Sequence, residues 1–165
     1  MAVKIYIDQG HNPTNPNAGA EGNGFREQDL VYRIGILTAQ YLRAAGLDVR
    51  LSRPTAETQL GTSNASSLAA RVNDANAWGA DYFISLHSNA SEITSASGSE
   101  AFVYSLGTTA QALAENILVQ LNNSTGLQNR GVSARPTLYV LRRTAMPAAL
   151  VELGFITNPY DAELM

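Results

Sequence analysis

Short runs rich in Val, Ile, Leu and Tyr alternate along this chain with segments of helical period, and that alternation restricts the fold more than any other feature. In Val3–Asp8 the residues Val3, Ile5 and Ile7 alternate with Lys4 and Tyr6, the pattern of a half-buried strand. From Glu27 to about Ala45, Leu30, Ile34, Leu37 and Tyr41 fall on one helical stripe, which Gly46 stops. A strand over Leu47–Ser52 follows, then a polar connection from Pro54 to Ser67, and then a helix carrying Leu68, Val72, Ala75 and Trp78 that ends at Gly79. Further strands are expected over Tyr82–His87, Glu100–Ser105, Leu138–Leu141 and Ala148–Leu153, with a helix over about Thr108–Leu121 between the second and third of these. Strands that alternate with helices build βαβ units. The expected fold is therefore α/β: a single, largely parallel (mixed) twisted sheet of about six strands with helices on both faces. The 165 residues suit one domain, 1–165, that buries roughly two thirds of its unfolded surface. Asn158-Pro159-Tyr160-Asp161 begins like a helix cap, so a last helix is expected to be short.

Composition narrows the chemistry. The net charge of −3 gives no electrostatic case for nucleic acid or for an anionic membrane surface. No apolar run reaches membrane-spanning length, and the first strand starts too soon after Met1 for a signal peptide, so delivery by another route is expected. With no cysteine, a metal site would have to be built from His, Asp and Glu. There is no G-x-S-x-G elbow and no phosphate-binding loop, and Gly19, Gly22 and Gly24 are out of order for a dinucleotide fingerprint.

The chain has two histidines, and both fall at strand ends: His11 just past the first strand and His87 at the close of Tyr82–His87. Open α/β sheets keep their ligands outside the carboxyl ends of strands. A hydrolytic zinc site needs about three protein ligands and an open position. The third ligand would be a carboxylate. Glu27, at the first turn of the helix returning from the His11 loop, is the choice, with Glu21 and Asp29 as substitutes and a helix-start surface charge as the plain alternative. That loop, residues 12–24, is dense in turn formers and long enough to be a binding loop or lid, and the Ser-rich loop up to Gly98 is a second candidate.

Glu152 is a carboxylate inside the apolar run Ala148–Phe155. Burial would raise its pKa and suit it as a general base, unless it pairs with Arg71, Arg142 or Arg143. Asp8 is expected to orient a histidine through the ring nitrogen that the metal leaves free, or else simply to cap the strand end. Arg130, in a turn at Asn129-Arg130-Gly131, could grip a substrate carboxylate or merely be solvated.

Five motifs occur in order: Ile7-Asp8-Gln9-Gly10-His11, Arg26-Glu27-Gln28-Asp29-Leu30, Phe83–Ala90, Asn129-Arg130-Gly131-Val132 and Leu150–Phe155. Together they cover nearly the whole chain, which resembles the zinc-dependent N-acetylmuramoyl-L-alanine amidases of bacterial cell walls. The resemblance implies that His11, Glu27 and His87 bind Zn2+ and that Glu152 is the catalytic carboxylate. Asn89 and Arg130 are the expected substrate contacts. The implied reaction cleaves the amide between N-acetylmuramic acid and the L-alanine of the stem peptide. Peptidoglycan is then the partner, the cell wall the place of action and a monomer the expected state. A zinc carboxypeptidase-like peptidase and a non-catalytic glycan- or peptide-binding module are the alternatives. Where the family commonly has Asp-Pro-Gly-His-Gly-Gly, this chain has Asp8-Gln9-Gly10-His11-Asn12-Pro13, so a differently shaped loop is expected after the first ligand.

Overall fold

The computed structural model describes residues 2–165; Met1, on which the expectation about the chain start rested, lies outside the described residues. In chain order the elements are β1 (Lys4–Gln9), β2 (Glu21–Gly22), β3 (Phe25–Arg26), α1 (Glu27–Ala44), β4 (Asp48–Leu51), α2 (Asn64–Trp78), β5 (Tyr82–Asn89), β6 (Ser99–Val103), α3 (Thr109–Thr125), β7 (Asn129–Ala134), α4 (Tyr139–Arg143), β8 (Ala148–Phe155) and α5 (Pro159–Leu164). Six strands form one sheet in the order β4-β1-β5-β8-β6-β7, and β2 pairs with β3 in a small ribbon. The sheet is parallel except where β6 runs against β8. The mixed α/β sheet expected from the alternation is the one observed.

Strand periodicity divides the core. Ile5, Ile7, Ala149, Val151 and Leu153 pack against α1 and α3 through Val31, Ala39, Ala114 and Leu118. Tyr6, Phe83, Phe102, Ala148 and Leu150 face the other way, onto Val72 and Ala75 of α2 and Val140 and Leu141 of α4. Helices therefore cover both faces, as expected.

Three expectations are corrected. Leu138–Leu141 is not a strand but leads into α4, because Val140 and Leu141 are both buried against the sheet face. A four-residue apolar run has no period long enough to separate strand from helix. The sixth strand is instead β7, read from sequence as a turn; it is polar and half exposed, and its pairing to β6 is tertiary. On α1 the buried face is Glu27, Leu30, Val31, Gly35 and Ala39, whereas Leu37 and Tyr41 are exposed. The helix lies on its smallest residues, and Gly35 comes so close to Gln9 that a Cβ there would stand 2.4 Å from Gln9 Cγ.

Candidate functional site

The pairing register places a polar group above an apolar floor. On the face covered by α2 and α4, Tyr6, Phe83 and Ala148 form one row across β1, β5 and β8; the next row toward their carboxyl ends is Asp8, Ser85, Leu150 and Phe102, and the row after it holds His87, Glu152 and Glu100. His87 and Glu152 are direct cross-strand neighbours, and Glu152 also stands opposite Glu100. His87 lies two residues before the end of β5, at a register shift between His87 and Asn89. Such an irregularity re-aims side chains at a sheet rim.

His11 follows β1 by two residues and has φ 65°, in the left-handed region uncommon for a residue with a Cβ. Gly10 before it donates its backbone N–H to Leu86 O at 3.0 Å. No side chain fits at that position, since a Cβ would lie 2.5 Å from His87 Cε1. Glu27 enters from the other side as the first residue of α1. Its Oε1 lies 3.1 Å from His11 Nε2 and 3.1 Å from His87 Nδ1, and it accepts from Ser88 N–H at 3.0 Å, while Oε2 accepts from Ala20 N–H at 2.9 Å. The two rings meet edge to face with centroids 4.9 Å apart. One ligand atom from each of His11, Glu27 and His87 lies within 4.8 Å of the others. Burial pushes the Glu27 pKa up, but the hydrogen bonds and charges of the two imidazoles outweigh it, so the carboxyl is held below its ordinary range. For His87, burial works against the cation, while Glu27, Glu152 and Asp8 favour it more strongly, and the net shift is upward.

Glu152 makes no ion pair among the described residues, and its Oε2 is buried without a hydrogen-bond partner. Desolvation raises its pKa from the ordinary 4.5 to about 7; His87 opposes this, and the nearby charges of Glu27 and Glu100 add to it. Of the arginines offered as partners, Arg71 is committed to Asp8 at 2.7 Å. This also corrects the role expected of Asp8, which bonds neither imidazole. Buried to 1% exposure, it needs a cation, and it takes Arg71 together with the Ser85 hydroxyl at 2.7 Å. Burial raises its pKa, and the guanidinium and hydroxyl reverse this to a net lowering.

The substitutes for Glu27 lie elsewhere: Glu21 is exposed on β2, and Asp29 pairs with Arg26 at 3.3 Å. Asn89 and Arg130 meet around Glu100. Asn89 Nδ2 donates to Glu100 Oε1 at 2.6 Å, and Arg130 Nε is 3.9 Å from Glu100 Oε2, with its guanidinium 5.2 Å from the Phe155 ring. Sequence reasoning passed over Glu100, although a charge beside Ala101-Phe102-Val103 is the same anomaly that singled out Glu152. Below the histidines a cavity of about 150 Å³ is walled by Leu68, Leu138, Val140 and Leu150.

The loop of residues 12–24 is anchored at its first residue, while residues 13–24 are all partly or fully exposed. Asn12, fully buried, donates to Pro16 O and Leu60 O and accepts from Leu60 N–H, pinning the loop to the segment before α2.

Two imidazoles and one carboxylate gathered at the carboxyl edge of a mostly parallel sheet define an α/β protein with a site able to hold a metal ion. Residues 5–165 match the N-acetylmuramoyl-L-alanine amidase family, and the chain belongs to it. It is 35% identical over 164 residues to the N-acetylmuramoyl-L-alanine amidase CwlM of Bacillus licheniformis, covering 98% of this chain and 60% of that protein. It is 37% identical to the sporulation-specific N-acetylmuramoyl-L-alanine amidase of Bacillus subtilis, over 97% of this chain and 59% of that one. The chain thus spans about three fifths of the length of these relatives. Among solved structures it is similar to the catalytic domain of CwlV from Paenibacillus polymyxa, with TM-score 0.83, 28% identity and coverage of 99% of this chain and 87% of that one.

Proposed function

We propose that this chain is a single catalytic domain hydrolysing the amide between N-acetylmuramic acid and L-alanine in peptidoglycan, acting at the cell wall as a monomer. The observation that carries the reading is the convergence of His11, Glu27 and His87 on one point with Glu152, unpaired, beside His87 on the next strand. Family membership supports the same reading. The donor set fits zinc: two imidazole nitrogens and a carboxylate oxygen, with no thiolate, is the ligand chemistry of a hydrolytic site that keeps a position open. His11 Nε2, Glu27 Oε1 and His87 Nδ1 would hold the ion. Bound there, zinc supplies Lewis acidity toward the scissile carbonyl and makes water more acidic.

The remaining chemistry belongs to this chain. Glu152 accepts the proton of the attacking water and returns it to the alanine nitrogen as the C–N bond breaks, leaving a free amine on the stem peptide and a carboxylate on the lactyl group. Its raised pKa suits both halves of that transfer, because a base near 7 neither holds its proton too tightly nor releases it too readily at neutral pH. Ser88 N–H and Ala20 N–H keep the Glu27 carboxylate oriented, and Gly10 leaves room for the His87 ring. Asn89 and Arg130, grouped around Glu100 at the Glu152 end of the site, are the polar contacts proposed for substrate. The test is mass analysis of products from purified peptidoglycan. New L-alanine amino termini should appear with the zinc-loaded protein and disappear on chelation. Peptidoglycan left uncut, or cut only within the stem peptide or the glycan strand, would overturn the reading.

A further inference from the structure

Two arginines lie wholly inside the protein, Arg53 and Arg71, each 1% exposed. The hydrogen bonds of Arg71, from the middle of α2, all go to the stretch between β1 and the first imidazole or to groups that fix it. Nη1 donates to Asp8 Oδ1 at 2.7 Å and to Gln9 O at 2.6 Å, and Nη2 donates to His11 O at 2.6 Å, with Asn12 Oδ1 at 3.4 Å. The other oxygen of Asp8 accepts from Ser85, two residues before His87. One guanidinium thus spans consecutive turns of the chain exit from β1, and through Asp8 it is tied to the strand that carries the second imidazole. The held peptide is an unusual one, since His11 is in the left-handed conformation, which a residue with a Cβ keeps only when its surroundings impose it.

We propose that Arg71 is a positioning residue for the metal site: by gripping the carbonyls of Gln9 and His11 it fixes the backbone that aims His11 Nε2 at Glu27 Oε1. The inference rests on the reading of His11, Glu27 and His87 as metal ligands. Arg71 touches none of the three ligating atoms, so its effect passes through the peptide of His11 and should appear in metal affinity, not merely in fold stability. A planar fork can serve two carbonyls and a carboxylate together, whereas the compact ammonium of lysine cannot.

Arg71→Lys keeps a charge for Asp8 but loses the fork. Arg71→Met combined with Asp8→Asn removes both members of the buried pair, so the test does not depend on one variant folding. Co2+ titrated into the metal-free proteins, followed by its visible absorption, reads affinity, and thermal unfolding of the metal-free forms reads stability. We expect the parent to bind one Co2+ and both variants to bind it about 10–100-fold more weakly, the range seen when groups supporting metal ligands are removed. Adding Arg71→Lys to His11→Ala should change affinity less than about threefold, because the residue through which Arg71 acts is already gone. Folded variants with parental Co2+ affinity would overturn the proposal, as would an equal loss in the His11→Ala background, which would mean a general loosening. A parent that binds no Co2+ overturns the ligand assignment and this inference with it, whereas binding by the parent with unchanged variants overturns this inference alone.

Discussion

Glu152 and Gly10 carry the sharpest expectations at the scale of single residues. Glu152→Gln keeps shape but cannot accept a proton, so amide cleavage should fall by about 10²–10⁴-fold while zinc stays bound. Loss of zinc instead would make Glu152 a ligand. The same substitution has a pH signature in the metal-free protein. A carboxyl raised from 4.5 to about 7 binds protons more tightly folded than unfolded, so its contribution is lost as pH rises from about 4.5 through 7. Removing it should flatten that fall, worth on the order of 3 kcal/mol at most across the window, as denaturant titrations at pH 5 and pH 8 would show. Asp8 works in the opposite sense: with its folded pKa lowered, its stabilisation is present above the ordinary carboxylate range and is lost only as strong acid titrates it. For Gly10→Ala, the new Cβ would meet His87 Cε1 at 2.5 Å and the Leu86 carbonyl at 2.7 Å, and the backbone oxygen cannot step aside. We expect about 1–3 kcal/mol of destabilisation and weakened metal binding; a variant with parental zinc affinity would show that the ring has room the geometry denies it.

Among the elements, α2 matters most because it carries Arg71. Its start is set by a capping box in which Ser63 Oγ accepts from Ser66 N–H at 3.1 Å and Ser66 Oγ accepts from Ser63 N–H at 2.9 Å; its end is set by Gly79 at φ 68°. The apolar residues from Leu68 onward gave the helix but not this first turn, Asn64-Ala65-Ser66-Ser67, whose one apolar residue is a small alanine. Ser63→Ala should cost about 1 kcal/mol and Ser63→Gly only a few tenths, measured by chemical denaturation. Equal costs for the two would mean that the cap contributes nothing beyond backbone freedom. α1 begins differently: Arg26 offers no side-chain cap, and the backbone bond from Glu27 N–H to Ala20 O places the first turn. The position of Glu27 therefore depends on the loop, not on a local capping signal.

On the scale of the whole molecule, Asp161 links elements distant in sequence. Fully buried on α5, it accepts from Ser97 Oγ at 2.6 Å, Gly98 N–H at 3.0 Å and Phe155 N–H at 2.9 Å, joining the loop after β5, the end of β8 and the last helix. Asp161→Ala leaves those donors buried and unmet, and we expect a loss of about 2–4 kcal/mol, at the upper range for a charged acceptor. A denaturant midpoint within error of the parent would show that the three segments hold without it.

The period of the chain was enough to give the α/β class, the positions of β1, β5 and β8 and the helices α1, α2 and α3, because alternation and helical stripes are written in neighbouring residues. The two histidines at strand ends and the charge inside the run Ala148–Phe155 likewise pointed to the site, since burying a carboxylate among apolar residues is costly enough to stand out. What local pattern could not hold was anything decided by pairing. β7 is polar and becomes a strand only because β6 offers it a ladder, and Leu138–Leu141 is too short to show a period. Glu100 acquires its place only when β6 lies antiparallel to β8 and stands opposite Glu152. On sequence grounds Asp8 was to orient a histidine or cap the strand end, and it was the packing of α2 on that sheet face that delivered Arg71, 63 positions away, to its carboxylate. Side-chain periodicity is a property of neighbouring residues, whereas the partner of a buried charge is set by whichever element the fold lays across it.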